Sequence, residues 1–168
     1  MHYRFDATIP WEAAVVHEVL VHRTQRLAAY LHGVDEVIAL PSDDGVRHRW
    51  LLDEAAFPVG LGRLLPDDAR GFEDHLRWEG LRAAFSVSPL VHADAVHFAG
   101  TAELRDEGYD CVLAVRGDFR LQPGAIERLP EWLRGRGADT IERAVVSTVR
   151  THLTQACRAI DRLLDDEV

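Results

Sequence analysis

His48 and Tyr109 are polar side chains that strand alternation sets among apolar neighbours, and any chemistry in this chain would begin with them. An imidazole or a phenol on an apolar wall can orient a carbonyl or hydroxyl of a bound molecule. Histidine also titrates near neutrality, so His48 is a candidate general acid or base, although spacing alone places no second catalytic partner beside it. There are nine histidines. His17 with His22, and His92 with His97, reproduce neither HExxH nor the i, i+4 pair of a helical metal site, so no metal and no cofactor is expected. Ser86-Val87-Ser88 is not a nucleophile elbow, and Gly60-Leu61-Gly62 lacks the helix and acidic residue of a dinucleotide site. The carboxylates read as spread over solvent faces, with Asp165, Asp166 and Glu167 a solvated acidic tail.

The elements that must position these residues are one long helix and a run of strands. Ala138, Ile141, Val145, Val149, Leu153, Ala156, Ile160 and Leu163 recur at steps of three and four, which predicts a helix over Ala138–Leu164 with one apolar stripe. At 1.5 Å rise per residue it is about 40 Å long, enough to cross a small sheet. Before it, His2–Ile9 alternates as a strand and Trp11–His32 has a helical apolar face ending at Gly33. Residues 34–53 predict a hairpin around Pro41-Ser42-Asp43-Asp44-Gly45. Residues 72–89 predict two strands broken near Gly80, and His92–Leu104 with Tyr109–Leu121 a second hairpin through Asp106-Glu107-Gly108. Ala55–Gly71 is a loop or short helix, and 122–137 a connector around a short helix, Ala125–Leu133. Antiparallel strands beside segregated helices make an α+β fold.

A concave sheet and a straight helix cannot touch everywhere, and the space between them is a cavity. Parity nominates His48, Trp50, Trp78, Phe85 and Phe98 for its wall, followed by Tyr109, Cys111, Leu113 and Val115 on the last strand. The helix adds Val149, Leu153 and Ala156. The alternative for each is ordinary core packing.

Composition narrows the function classes. With 168 residues and 47% hydrophobic content, a single domain over 1–168 is expected. A net charge of -9, from 28 acidic against 19 basic residues, repels phosphate backbones and anionic membranes, so no nucleic-acid partner is expected. All the basic residues are arginine, and asparagine is absent as well, the usage of a GC-rich bacterial coding sequence. Schiff-base and P-loop lysines and N-glycosylation are thereby excluded. Cys111 and Cys157 lack metal or disulfide-framework spacing and sit among apolar residues, as buried thiols in a reducing compartment do. Met1–Asp6 shows no signal pattern and no apolar run reaches about 18 residues, so a cytoplasmic protein without membrane insertion is expected.

The layout resembles the START-like superfamily, the helix-grip (SRPBCC) proteins that include polyketide cyclases and the birch-pollen allergen family. The resemblance rests on the strand ending Ala7-Thr8-Ile9-Pro10, the strand pair around Arg77-Trp78-Glu79, the meander ending Val115-Arg116-Gly117-Asp118-Phe119, and the final helix from Ile141-Glu142-Arg143. It covers nearly the whole chain. It is most similar to a bacterial group of START-like domains of unknown function, in which a segment like Phe57-Pro58-Val59-Gly60-Leu61 precedes the central strands. The connector at 122–137 is longer than the usual passage into the last helix.

The resemblance implies a curved antiparallel sheet of about six to seven strands gripping the C-terminal helix, with a hydrophobic cavity between them. It implies binding, transport or sensing of a small apolar ligand (lipid, polyketide or aromatic) in that cavity. One alternative is a cyclase or dehydratase acting in the same cavity through His48 or Tyr109. Another is an interaction module with a filled cavity, a homodimer through an exposed strand edge. Fold alone does not choose among them.

Overall fold

Alternating apolar and polar residues build seven strands whose spatial order nearly follows the chain. The computed structural model describes residues 1–57, 67–91, 93–94, 96–121 and 138–167. The strands are β1 (His2–Ile9), β2 (Val34–Leu40), β3 (Val46–Leu52), β4 (Gly71–Glu79), β5 (Arg82–Pro89), β6 (Val96–Asp106) and β7 (Cys111–Leu121). All neighbours pair antiparallel, in the order β1-β7-β6-β5-β4-β3-β2. Strands β2 to β7 are therefore a meander of successive hairpins, and β1 closes onto the last of them.

Register decides which side chains share a face, because directly opposed residues point the same way. Phe5 lies opposite Val115, Val115 opposite Ala102, Ala102 opposite Ala83, and Ala83 opposite Trp78. Phe5, Val115 and Ala102 of this row are buried in one core with Cys157, Ile160 and Leu163 of the last helix, α3 (Ala138–Asp165), so this is the inner, gripped face. Val145, Val149 and Leu153 pack on the same core from the other end of that helix. Near the middle of the inner face Gly100 stands opposite Gly117. A Cβ on Gly100 would lie 2.0 Å from the Arg116 carbonyl oxygen, and one on Gly117 would press 3.2 and 3.3 Å onto the Phe85 and Phe98 rings. The two glycines thus let the strands approach and seat both rings against bare backbone.

Two sequence expectations are corrected. The helix expected over Trp11–His32 is two, α1 (Ala13–His22) and α2 (Thr24–Leu27), followed by a 3₁₀ turn at Ala28–Tyr30. Arg23 leaves helical geometry between them (φ -124°, ψ 18°), and its guanidinium is tied to Glu18 and to Glu167 beyond α3, which fixes the bend. Strand β7 begins at Cys111, because β6 runs on to Asp106 and the turn takes Tyr109; Gly108 supplies the positive φ of 88°. The outward side of β7 is also drier than its charges suggest, since Val112 and Ala114 are buried there among neighbouring strands. Residues 58–61 of the expected family segment, the connector at 122–137 and His92 lie outside the described residues. Among the described residues, no helix is long and apolar enough to cross a membrane.

Candidate functional site

A carboxylate stands on the inner face, where the sequence pattern calls for an apolar residue. Asp74 lies on β4 in phase with Phe72, Leu76 and Trp78, directly opposite His48 on β3. Its Oδ1 accepts the His48 backbone N–H at 3.1 Å and pairs with His48 Nδ1 at 3.0 Å; its Oδ2 accepts the Trp50 indole N–H at 2.8 Å. A carboxylate only accepts, so Nδ1 must carry a proton, which leaves Nε2 as the nitrogen that bears the lone pair whenever the ring is neutral. Nε2 has no protein partner among the described residues. His48 is 4% exposed and Trp50 stacks on Phe72 at 5.7 Å, so packing holds the cluster as well as hydrogen bonding.

The row through this cluster continues across the sheet. Asp74 opposes Val87, Val87 opposes Phe98, and Phe98 opposes Phe119. Phe98 sits at the centre of an aromatic group, 5.2 Å from Phe85, 5.9 Å from Tyr3 and 6.3 Å from Phe119. At the other end of β4, Trp78 meets His17 of α1 edge to face at 4.7 Å.

Two hollows adjoin these walls. A cleft of about 170 Å³ lies between α1–α2 and the β2–β3 hairpin, with His48 in its lining beside Thr24, Ala39, Ser42 and Val46. A hollow of about 390 Å³ is lined by Tyr3, Arg4, Gly100, Thr101, Arg116 and neighbouring residues. Its cations are already engaged: Asp6 bonds both Arg4 and Arg116.

Polar atoms without partners mark the gripped side further. Tyr3 Oη, His17 Nε2, Trp78 Nε1 and Gln155 Oε1 are shut away from water and have no hydrogen-bond partner among the described residues. Burial pushes the Tyr3 phenol up to about 12 against the opposing pull of Arg150, whose guanidinium lies 5.9 Å over the ring. Burial likewise raises the Cys111 thiol to about 11 and the Cys157 thiol to about 12, so neither is a thiolate nucleophile at neutral pH.

The nominated residues fall into three groups. His48, Trp50, Trp78, Phe85, Phe98, Cys111, Leu113 and Val115 all occupy the inner face. Val149 and Leu153 pack against the core, and Ala156 is half-buried on α3. Tyr109 does not join them: it is 89% exposed at the tip of the β6–β7 turn, so it cannot be part of an inner wall. The expectation that carboxylates keep to solvent faces is overturned by Asp74. Its signal was present, an acid in strand phase with three large apolar residues. Tyr3 was in the apolar phase of its strand; for His17 and Gln155 the helical pattern held no comparable mark. Ser42, Asp44 and His75 also gather, but Ser42 Oγ (3.5 Å) and Asp44 Oδ1 (3.0 Å) approach the same Nε2, which rules out a relay through the ring. Among the described residues, no three His, Cys, Asp or Glu side chains converge as a metal site would require.

No protein-family model and no curated protein sequence matches the chain. Solved structures do. The Zhui aromatase/cyclase from Streptomyces sp. R1128 superposes with a TM-score of 0.68, 16% identity, and coverage of 98% of this chain and 95% of that one. Norcoclaurine synthase from Thalictrum flavum, solved in complex with dopamine and hydroxybenzaldehyde, matches with a TM-score of 0.60 and 11% identity over 100% and 88% of the two chains. Ara h 8.0201 matches with a TM-score of 0.64 and 9% identity over 99% and 98%. With its seven antiparallel strands, the helices after β1 and the long α3, the chain has the helix-grip fold. That fold is the one shared by the START-like (SRPBCC) proteins, as the sequence resemblance implied.

Proposed function

We propose that the protein encloses a small hydrophobic ligand, a lipid, polyketide or other aromatic compound, between the inner face of the sheet and α3. The supporting observation is the set of four partnerless buried atoms, Tyr3 Oη, His17 Nε2, Trp78 Nε1 and Gln155 Oε1. A buried polar group without a partner costs about 1–3 kcal/mol. A ligand carrying hydroxyl or carbonyl groups on an apolar body would relieve that cost while burying its own apolar surface against Phe85, Phe98 and Leu153. The structural neighbours support the same reading, since norcoclaurine synthase holds aromatic molecules on this fold.

Native mass spectrometry of freshly purified protein, together with displacement of 1-anilinonaphthalene-8-sulfonate by fatty acids and by phenolic aromatics, tests it. A co-purifying small mass or saturable displacement is the expected result. Absence of both would overturn the reading. A second reading, a cyclase or dehydratase, is favoured by one observation: His48, which lines the cleft between α1–α2 and the β2–β3 hairpin, has an oriented imidazole because Asp74 holds it. Turnover lost on changing His48, with binding retained, separates the two.

A further inference from the structure

Asp74 gathers three N–H donors on two oxygens, and that arrangement does more than satisfy a buried acid. The His48 backbone N–H and the Trp50 indole N–H are donors that cannot change role. They pin the carboxylate on both sides, and the pinned carboxylate fixes the imidazole in the Nδ1–H tautomer. In the neutral ring the lone pair then falls on Nε2, and the ring belongs to a residue lining the cleft of about 170 Å³. A cavity of about 150 Å³ accommodates benzene, so the cleft has room for a small aromatic body, and it is open to solvent on one side.

We propose that His48 is a general base toward a small aromatic carbon acid in this cleft, and that Asp74 is its positioning residue, with Trp50 holding Asp74 in turn. The proposal deepens the enzymatic reading above and rests on it. In the step, Nε2 takes a proton from carbon, the C–H electron pair moves into the adjacent π system, and the imidazolium gives its proton back to water or product. No oxidant, reductant or second reactant is needed.

The test uses 5-nitrobenzisoxazole as the probe. Its base-promoted opening is balanced: the base removes the C3 proton, the C–H pair becomes the third C–N bond, the N–O bond breaks, and the oxygen leaves as coloured 2-cyano-4-nitrophenolate. The full-length protein should accelerate this reaction over buffer by about 10²–10⁴, the range of a positioned base. His48→Gln should remove the acceleration. Asp74→Asn cannot accept all three N–H groups: turned one way its amide opposes Trp50, turned the other it opposes His48. It should lower kcat by about a hundredfold or more, as a misdirected tautomer does, while KM moves less than about twofold. A merely structural role would raise KM or unfold the chain instead. If Asp74→Asn does not fold, Trp50→Phe releases one side of the carboxylate and should lower kcat several-fold at unchanged KM.

No acceleration by the wild-type protein overturns the proposal, as does full activity in His48→Gln. So does unchanged kcat in Asp74→Asn, or in Trp50→Phe where that variant stands in. Binding of 1-anilinonaphthalene-8-sulfonate is measured in parallel. Fluorophore bound with no proton transfer leaves the ligand cavity standing and removes the base; neither bound nor turned over removes both.

Discussion

Replacing Asp74 by alanine should destabilise the protein far more than replacing its neighbour Glu73, although both are acids on β4 engaged by β3. Asp74→Ala removes the acceptor of three N–H groups on the inner face. The imidazole can answer by moving its proton to the other nitrogen. The His48 backbone N–H and the Trp50 indole N–H cannot, and each donor left bare in a buried place costs about 1–3 kcal/mol. Two such donors set the cost at about 2–6 kcal/mol. The cleft beside His48 admits water to part of the site, which favours the lower half of that range. Glu73, by contrast, is held by Arg47 and Arg49, whose side chains are 40% and 45% exposed, and ion pairs of that kind contribute about 0–1 kcal/mol. For a chain of this size 1 kcal/mol corresponds to about 2–4 °C in Tm, so Asp74→Ala should melt about 4–16 °C lower and Glu73→Ala within about 4 °C of wild type. Urea unfolding followed by tryptophan fluorescence reads the difference directly, with equal m values required for the comparison. A cost below about 1 kcal/mol for Asp74→Ala, or equal costs for the two variants, would refute the account of the inner-face cluster.

Two further outcomes are expected. Leu153→Trp and Ala156→Trp put bulk on the helical wall of the proposed cavity; overpacking costs about 1–3 kcal/mol, so both variants should fold, with native far-ultraviolet circular dichroism, yet lose uptake of 1-anilinonaphthalene-8-sulfonate. Loss of stability with uptake intact would make that part of α3 plain core. Alkaline pH should weaken the fold: the buried Cys111 and Cys157 thiols are raised to about 11 and about 12 and the Tyr3 phenol to about 12, so above about pH 9 the unfolded chain sheds protons that the native state keeps. Stability is complete below the unfolded thiol range and falls as pH rises toward 12; urea midpoints that stay level between pH 8 and pH 11 would contradict the burial of these groups.

Much of the fold could be read from periodicity because one face of each element is buried. The stripe through Val145, Val149, Leu153, Ile160 and Leu163 needs no knowledge of its partner to be recognised as helical. The alternation in β4 to β7 names the inner residues almost one by one. Legibility failed where long-range placement overrode local pattern. Tyr109 continues the alternation of Cys111 and Leu113, but the register of β6 against β7 assigns it to the turn. Arg23 sits within a helical pattern but leaves helical geometry, and its guanidinium pairs with an acid, Glu167, far away in sequence. The pairing of His48 with Asp74 spans 26 positions, and nothing local to either residue announces the other.

The polar atoms of the inner face differ in kind, and the difference bears on function. At His48, Trp50 and Asp74 the groups named as donors and acceptors are matched, leaving one lone pair over; such a cluster holds its shape before anything binds, as a catalytic or orienting group must. Tyr3 Oη, His17 Nε2, Trp78 Nε1 and Gln155 Oε1 have no partner among the described residues, and a structure that kept those atoms dry without a ligand would carry their whole desolvation cost. On the reading proposed above, the first set would act on a molecule and the second would receive one. The row from Asp74 through Val87 to Phe98 joins them along the sheet, since Phe98 touches Tyr3 at one end and Asp74 holds His48 at the other. A ligand seated on the aromatic group therefore has one direction in which a reactive edge could meet an oriented base, and that direction runs along this row toward β3.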